Sequence, residues 1–132
     1  MKEKEGQVLY PSCLPDRYKV MEIDKSMGGY MTSLWFQGDS EEDFILLDYK
    51  FDEQIHLNTD TEHTKIKQVL INKSDAVLLE SKQAYEFIWV KDGVCRYITF
   101  KKKYLKYDEA IEVAESIEWV DENSIEVYES KS

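Results

Sequence analysis

The 132-residue sequence is poor in the residues that mark several classes of protein. Its two cysteines, Cys13 and Cys95, match no zinc or redox spacing. Its single glycine pair, Gly28-Gly29, lacks the lysine and helix of a phosphate-binding loop. No apolar run reaches the roughly 20 residues of a membrane-spanning helix. We expect the two thiols to be unpaired, with one disulfide as the alternative.

Basic residues are scarce relative to acidic ones. Lysine and arginine number 17 and aspartate and glutamate 27, which gives a net charge of -10. A negative field repels phosphate backbones and anionic lipid headgroups, so we expect no nucleic-acid partner. The basic run Lys101-Lys102-Lys103 is typical of a protected sheet edge or a loop. Any attachment to a membrane would need an anchor that is absent from this chain.

Aromatic and β-branched residues are plentiful, and their spacing predicts strands. In the first strand, Tyr18, Val20 and Glu22 are expected on one side. Two-residue alternation in residues 44–51 favours an antiparallel sheet covered on one side. We expect a long polar loop over residues 52–66. The predicted strands are residues 17–24, 30–37, 44–51, 68–71 and 76–80, followed by two more around Asp92-Gly93.

Asp92-Gly93 between two β-rich runs predicts a two-residue hairpin. That turn sets the register, with Trp89 opposite Arg96 and Phe87 opposite Ile98. One face then carries Tyr85, Phe87, Ile98 and Phe100, and the other carries Ile88, Val90, Cys95 and Tyr97. Because both faces are largely apolar, we expect this hairpin at the centre of the sheet.

The last element is predicted to be a helix capped by Asp108, with an apolar stripe from Ala110 to Ile117. The fold class is therefore α+β, a curved antiparallel sheet of about six to seven strands with one C-terminal helix on one face. We predict a disordered lead-in at residues 1–10, one domain at 11–120, and an edge segment or tail at 121–132.

Chemical sites are hard to find in this sequence. His56, Asp60, Glu62 and His63 share a polar loop near Asp52 and Glu53, but no pair has a standard metal-ligand spacing. No nucleophile motif surrounds either cysteine or any serine. We therefore predict no catalytic residue, no metal and no cofactor.

The aromatic content is the most informative functional feature. A helix of about 12 residues is roughly 18 Å long and cannot cover both faces of the sheet. We expect it on the Phe87 face, which leaves the Ile88 face to solvent, to the 52–66 loop or to a ligand. The predicted binding surface is Ile88, Val90, Tyr97, Trp35 and Tyr49.

Three short motifs carry a resemblance to a known family. They are Pro11 followed by Leu14-Pro15-Asp16-Arg17-Tyr18-Lys19-Val20, then Trp89 with Asp92-Gly93 and Tyr97-Ile98, and finally Ala114-Glu115-Ser116-Ile117. Over residues 11–119 the chain resembles the bacterial family called domain of unknown function 4367. Arg17 and Asn72-Lys73 stand where that family usually has Gly and an Asn-Gly turn.

The resemblance implies an extracytoplasmic domain that follows a membrane anchor, in lipoproteins or in proteins similar to anti-sigma factors. It also implies a sheet and helix loosely similar to lipoprotein-carrier folds, and no catalytic residue. The leading hypothesis is thus a non-catalytic sensing or binding domain for a protein or an apolar ligand. A small cytoplasmic structural or interaction protein is the alternative, and a metal-dependent enzyme is the third.

Overall fold

A computed structural model describes residues 6–55 and 65–128. Nine strands, one α-helix and two short 3-10 turns, Met27–Gly29 and Glu122–Ser124, make up these residues. The strands are β1 Gln7–Pro11, β2 Lys19–Ser26, β3 Met31–Gln37, β4 Phe44–Lys50, β5 Lys65–Ile71, β6 Ser74–Glu80, β7 Ala84–Lys91, β8 Val94–Lys101 and β9 Ile117–Asp121, and the helix is α1 Tyr107–Glu115. Strand β5 thus starts inside the predicted 52–66 loop.

Seven strands form one antiparallel sheet in the order β2-β3-β4-β8-β7-β6-β5. Its central strand, β8, and the adjacent β7 form the predicted hairpin, with Trp89 opposite Arg96 and Phe87 opposite Ile98. Asp92 and Gly93 have φ angles of 54° and 75°, as a hairpin turn with two left-handed residues requires. The predicted register, and the α+β class with one helix on an antiparallel sheet, are confirmed.

One face of the sheet, here called the covered face, carries the main core. It includes Leu34, Phe36, Ile45, Leu47, Phe87, Ile98 and Phe100, all fully buried. Helix α1 packs on it through Ala110, Val113 and Ala114. Tyr107 at the start of the helix meets the rings of Tyr85 and Phe87 at 5.3 and 6.0 Å. The prediction that the helix takes the Phe87 face is confirmed.

The remainder of the covered face lies under a two-stranded ribbon of β1 and β9. The Leu9 N–H donates to the Tyr49 hydroxyl at 3.3 Å. Trp119 stacks on Phe51, with 6.3 Å between the ring centroids. Val8 and Leu9 are fully buried, so the prediction of a disordered lead-in is wrong for residues 7–10. Burial of two apolar side chains and pairing with β9 order this segment.

The helix begins two residues earlier than predicted. Lys106 is the N-cap, and its N–H donates to the carboxylate of Glu109 at 3.2 Å. Asp108, the predicted cap, instead lies in the first turn, where its charge suits the helix dipole. Ile117 belongs to β9 and not to the helix.

Strand β2 carries a bulge between Val20 and Glu22. Val20 opposes Phe36 and Ile23 opposes Leu34, so both belong to the covered face. The predicted grouping of Glu22 with Val20 is therefore wrong. A bulge inserts one residue and turns the following side chains to the other face, which two-residue alternation cannot reveal.

A buried carboxylate links residues 17 and 18, which precede β2, to the β3–β4 turn. Asp43, 2% exposed, accepts from the Tyr18 hydroxyl and from Arg17 Nε at 3.0 Å. Arg17 also donates to the carbonyl of Tyr104 at 2.7 Å. Burial and the neighbouring Asp43 raise the pKa of Tyr18, which keeps its hydroxyl protonated as a donor. A Cβ at Gly38 would overlap the Asp43 carboxylate, so glycine leaves room for this contact.

Residues 127 and 128 return to the edge of the main sheet. Val127 forms a parallel bridge to Val20, and the Tyr128 N–H donates to the Val20 carbonyl at 2.7 Å. Lys25 and Glu122 form an ion pair at 2.7 Å. In the part of the chain that the structure describes, no helix is long and apolar enough to cross a membrane.

Candidate functional site

The second face of the main sheet, here called the open face, carries a groove over strands β2, β3 and β4. The groove has a volume of about 470 Å³. Its floor is apolar and includes Trp35, which is 36% exposed. The lining residues are Trp35, Phe44, Leu46 and Ser33 together with the carboxylates Glu22, Asp24 and Glu41. An exposed indole on an apolar floor is typical of a contact surface.

The three groove carboxylates come from two sides. Glu22 and Asp24 are exposed on edge strand β2, and Glu41 is exposed in the β3–β4 turn. Within residues 6–55 and 65–128, none of the three side chains forms an ion pair or a hydrogen bond. In the described part of the chain no basic side chain lines the groove, although Lys101 lies 5.4 Å from the ring of Phe44. The groove is therefore apolar at its base and negative at its walls.

The five residues of the predicted binding surface do not lie together. Trp35 is on the open face and exposed. Tyr49 is on the covered face, 2% exposed, with its ring edge-on to that of Trp119. Ile88 is on the open face but is also 2% exposed. Tyr49 shares its face with Leu47 and Phe87, since alternate residues of a strand point the same way.

Val90 and Tyr97 are half-buried around a small second core on the open face. Ile88, Cys95 and Leu79 form its centre, and Ile55 packs against it from beyond β4. The Lys50 ammonium lies over the ring of Tyr97, 5.6 Å from the ring centroid. This end of the open face is a second packed layer. Of the predicted surface, the accessible part is the groove around Trp35.

Two half-buried carboxylates lie between the groove and this second core. Asp48 on β4 is opposite Tyr97, and Glu86 on β7 is opposite Thr99. Burial raises the pKa of Asp48, and the neighbouring Ser33 offsets part of the rise. Burial, and then repulsion by Asp48, raise the pKa of Glu86, with a partial offset from Thr99. The open face thus holds negative charge that is partly removed from water.

Sequence patterns alone missed most of the groove residues. Simple alternation grouped Glu22 with Val20, and the bulge in β2 breaks that alternation. Glu41 lies in a run of acids that reads as a solvated turn. Phe44 and Leu46 carried a usable signal, because they alternate with the buried Ile45 and Leu47 and so face away from the core. Their position beside Trp35 follows only from strand pairing.

The described residues contain no group of three or more side chains suited to hold a metal ion. Asp52 and Glu53 are described, whereas His56, Asp60, Glu62 and His63 lie outside the described residues. The absence of a metal site and of catalysis stays a prediction. Cys13 is exposed and Cys95 buried, and neither forms a disulfide. Burial raises the pKa of the Cys95 thiol, so it is held protonated rather than as a nucleophile.

The fold and the groove define an α+β domain whose antiparallel sheet is covered on one face and partly accessible on the other. The chain belongs to the family described as Domain of unknown function (DUF4367), whose model matches residues 8–117. The resemblance carried by the three short motifs is thereby confirmed. No curated protein and no solved structure gives a significant match. The family description assigns no activity, so any function must be argued from the site.

Proposed function

We propose that this chain is a non-catalytic, extracytoplasmic binding domain that holds a partner on the open face of its sheet. The observation that supports the proposal is the groove of about 470 Å³ beside the exposed indole of Trp35. An apolar floor with polar walls is the usual composition of a contact surface that is wet in the free protein.

The extracytoplasmic part of the proposal rests on the family. The resemblance implies domains that follow a membrane anchor in lipoproteins or in proteins similar to anti-sigma factors. Such a domain acts by holding a ligand or a second protein. The described residues around the groove suit that role, because they offer contact area and charge but no paired nucleophile and base.

Position-specific photocrosslinking in living cells tests the binding function. A benzophenone side chain placed at Trp35 is expected to form a covalent adduct with the partner. The same side chain placed at Glu112, exposed on helix α1, is the matched control and should form none. The partner identified by mass spectrometry, once purified, should bind the Trp35→Ala variant about tenfold more weakly than the original chain. Equal adducts at both positions, or none, would contradict the proposal.

Protease accessibility tests the location. In intact cells, an antibody against the domain should detect the full-length protein. When the cell envelope is permeabilised so that added protease reaches the outer side of the cytoplasmic membrane, that signal should disappear. A cytoplasmic marker protein in the same sample is the control. Protection equal to that of the marker would show that the chain works in the cytoplasm and would overturn the extracytoplasmic part.

A further inference from the structure

We infer that the groove recognises a basic, extended segment of a partner protein, in which lysine or arginine side chains alternate with apolar ones. This inference rests on the proposed function and adds the chemistry of the partner. Its basis is the combination of an apolar floor with three carboxylates that have no partner within the described residues.

Charge selects the sign of the partner. Glu22 and Asp24 stand on one wall and Glu41 on another, and no basic side chain of the described residues lines the groove, although Lys101 lies beside Phe44. An ammonium or guanidinium group bound there gains an ion pair, whereas a carboxylate meets like charge. The net charge of -10 also steers basic partners toward the chain during encounter. An acidic or neutral apolar ligand would leave all three carboxylates without a counter-charge.

The apolar floor favours a partner that offers apolar surface as well as positive charge. Trp35 presents an indole face, which attracts a cation and packs the methylene stem of lysine or arginine. Leu46 and Phe44 offer apolar area beside it and are only half-buried in the free chain. A bare polyamine would use the walls and leave much of this floor wet. A segment with alternating basic and apolar residues satisfies both.

The size of the groove favours an extended segment. Its lining residues come from three adjacent strands, which span about 10 Å at the usual spacing of 4.8 Å. That length holds about three to four residues of extended chain at 3.3 Å per residue. An α-helix, with a diameter of about 10 Å, is as wide as the groove is long and would place little more than one turn in it. The partner segment is therefore short and strand-like.

A heteronuclear NMR titration of the whole chain tests the inference. The probe is the pentapeptide acetyl-Lys-Leu-Lys-Leu-Lys-amide, and acetyl-Glu-Leu-Glu-Leu-Glu-amide is its acidic counterpart. The indole N–H signal of Trp35 should move with the basic peptide and stay in place with the acidic one. Trp89, which is 1% exposed on the covered face, supplies an internal reference that should not move.

Two variants of equal charge sharpen the test. Glu22→Gln with Asp24→Asn removes two groove carboxylates and should weaken binding of the basic peptide about fivefold. Glu112→Gln with Glu118→Gln removes two exposed carboxylates outside the groove and should change binding less than twofold. Equal losses in the two double variants, or equal binding of the two peptides, would overturn the inference.

Other occupants give distinct results. If spermidine moves the Trp35 signal at the same concentration as the basic peptide, the groove binds a small polycation, and the inference of a protein segment is wrong. If the signal moves with protein concentration alone, the occupant is a second copy of this chain. If crosslinking at position 35 captures an acidic segment, the charge argument fails while the binding function stands.

Discussion

The two faces of the main sheet differ in how completely other elements of the fold cover them. The covered face lies under helix α1 and the β1–β9 ribbon, and most of its large apolar side chains are fully buried. Among the residues that the structure describes, the open face is packed around Ile88 and Cys95, and it leaves Trp35 accessible beside three carboxylates that form no ion pair with a described residue. The same strands build both faces, so the difference comes from the side chains on each face and from the helix and ribbon that pack on one of them. Stability is concentrated on one face, and the residues available for contact lie on the other.

The comparison is sharpest for two large aromatic residues. Replacing Phe87 with Ala should lower the free energy of unfolding by about 4 kcal/mol, because a fully buried ring is lost from the covered face. Trp35→Ala on the open face should cost less than about 1 kcal/mol. Urea unfolding of both variants measures the difference. Phe87→Leu, with an expected loss of about 1.5 kcal/mol, keeps the test valid if the alanine variant does not fold.

The second prediction concerns the contacts of Asp43, which link Arg17 and Tyr18 to the β3–β4 turn. Asp43→Asn should lower the free energy of unfolding by about 2 kcal/mol, because it leaves Arg17 and Tyr18 without their carboxylate. Asp39→Asn, exposed in the same turn, is the control and should have no measurable cost. Similar unfolding midpoints for both variants would show that the Asp43 contacts contribute little.

The third prediction concerns the turn between β5 and β6, which a hydrogen bond to Glu115 links to helix α1. Lys73 has a φ of 68°, which strains a residue with a Cβ, so Lys73→Gly should raise the free energy of unfolding by about 1 kcal/mol. Asn72→Gly is the matched comparison. The Asn72 side chain donates to the Glu115 carbonyl at 2.9 Å, and its loss should cancel any gain. Thermal unfolding that ranks the two variants in the opposite order would contradict this account.

Local signals explain which parts of this fold were predictable. Asp92-Gly93 fixes two strands and their register because both turn residues adopt positive φ angles. The apolar stripe of α1 identifies its buried side for the same local reason. The ribbon was missed because its two strands are five residues each and their pairing joins Gln7 to Asp121, far apart in sequence. No sequence pattern within residues 1–10 predicts that this segment pairs with a strand near the C-terminus.

The groove was only partly predictable, for a related reason. Trp35 was recognised because an aromatic residue in a strand must be either buried or available for contact. Its acidic neighbours depend on a bulge and on the pairing of β2 with β3, which are properties of the assembled sheet. Ile88 was misjudged because Ile55, beyond the end of β4, packs against its cluster. Tyr49 lies on the covered face because β4 pairs with β8 and places Tyr49 opposite Arg96, a pairing that local alternation does not reveal.

The smallest predicted effect comes from the charge held on the open face. Burial and Asp48 raise the pKa of Glu86 above its ordinary value of about 4.3. Between that value and the raised one, the folded chain binds more protons than the unfolded chain, so stability falls as pH rises. Glu86→Gln removes this cost. It should raise the free energy of unfolding near pH 7 by about 0.5 kcal/mol, a figure kept low because water screens a half-buried group.

The pH dependence separates this effect from a general change in net charge. The gain from Glu86→Gln should fade below about pH 4, where the carboxyl is protonated in both the folded and the unfolded chain. Glu112→Gln changes the net charge equally at an exposed helix position and should show no such trend. Thermal unfolding at several pH values, with an expected shift of about 2 °C near neutrality, measures both variants. A loss of stability in Glu86→Gln at pH 7 would mean that the ionised carboxylate has a stabilising contact. The open face would then be organised for its own stability, as the covered face is, and not left partly charged for a partner.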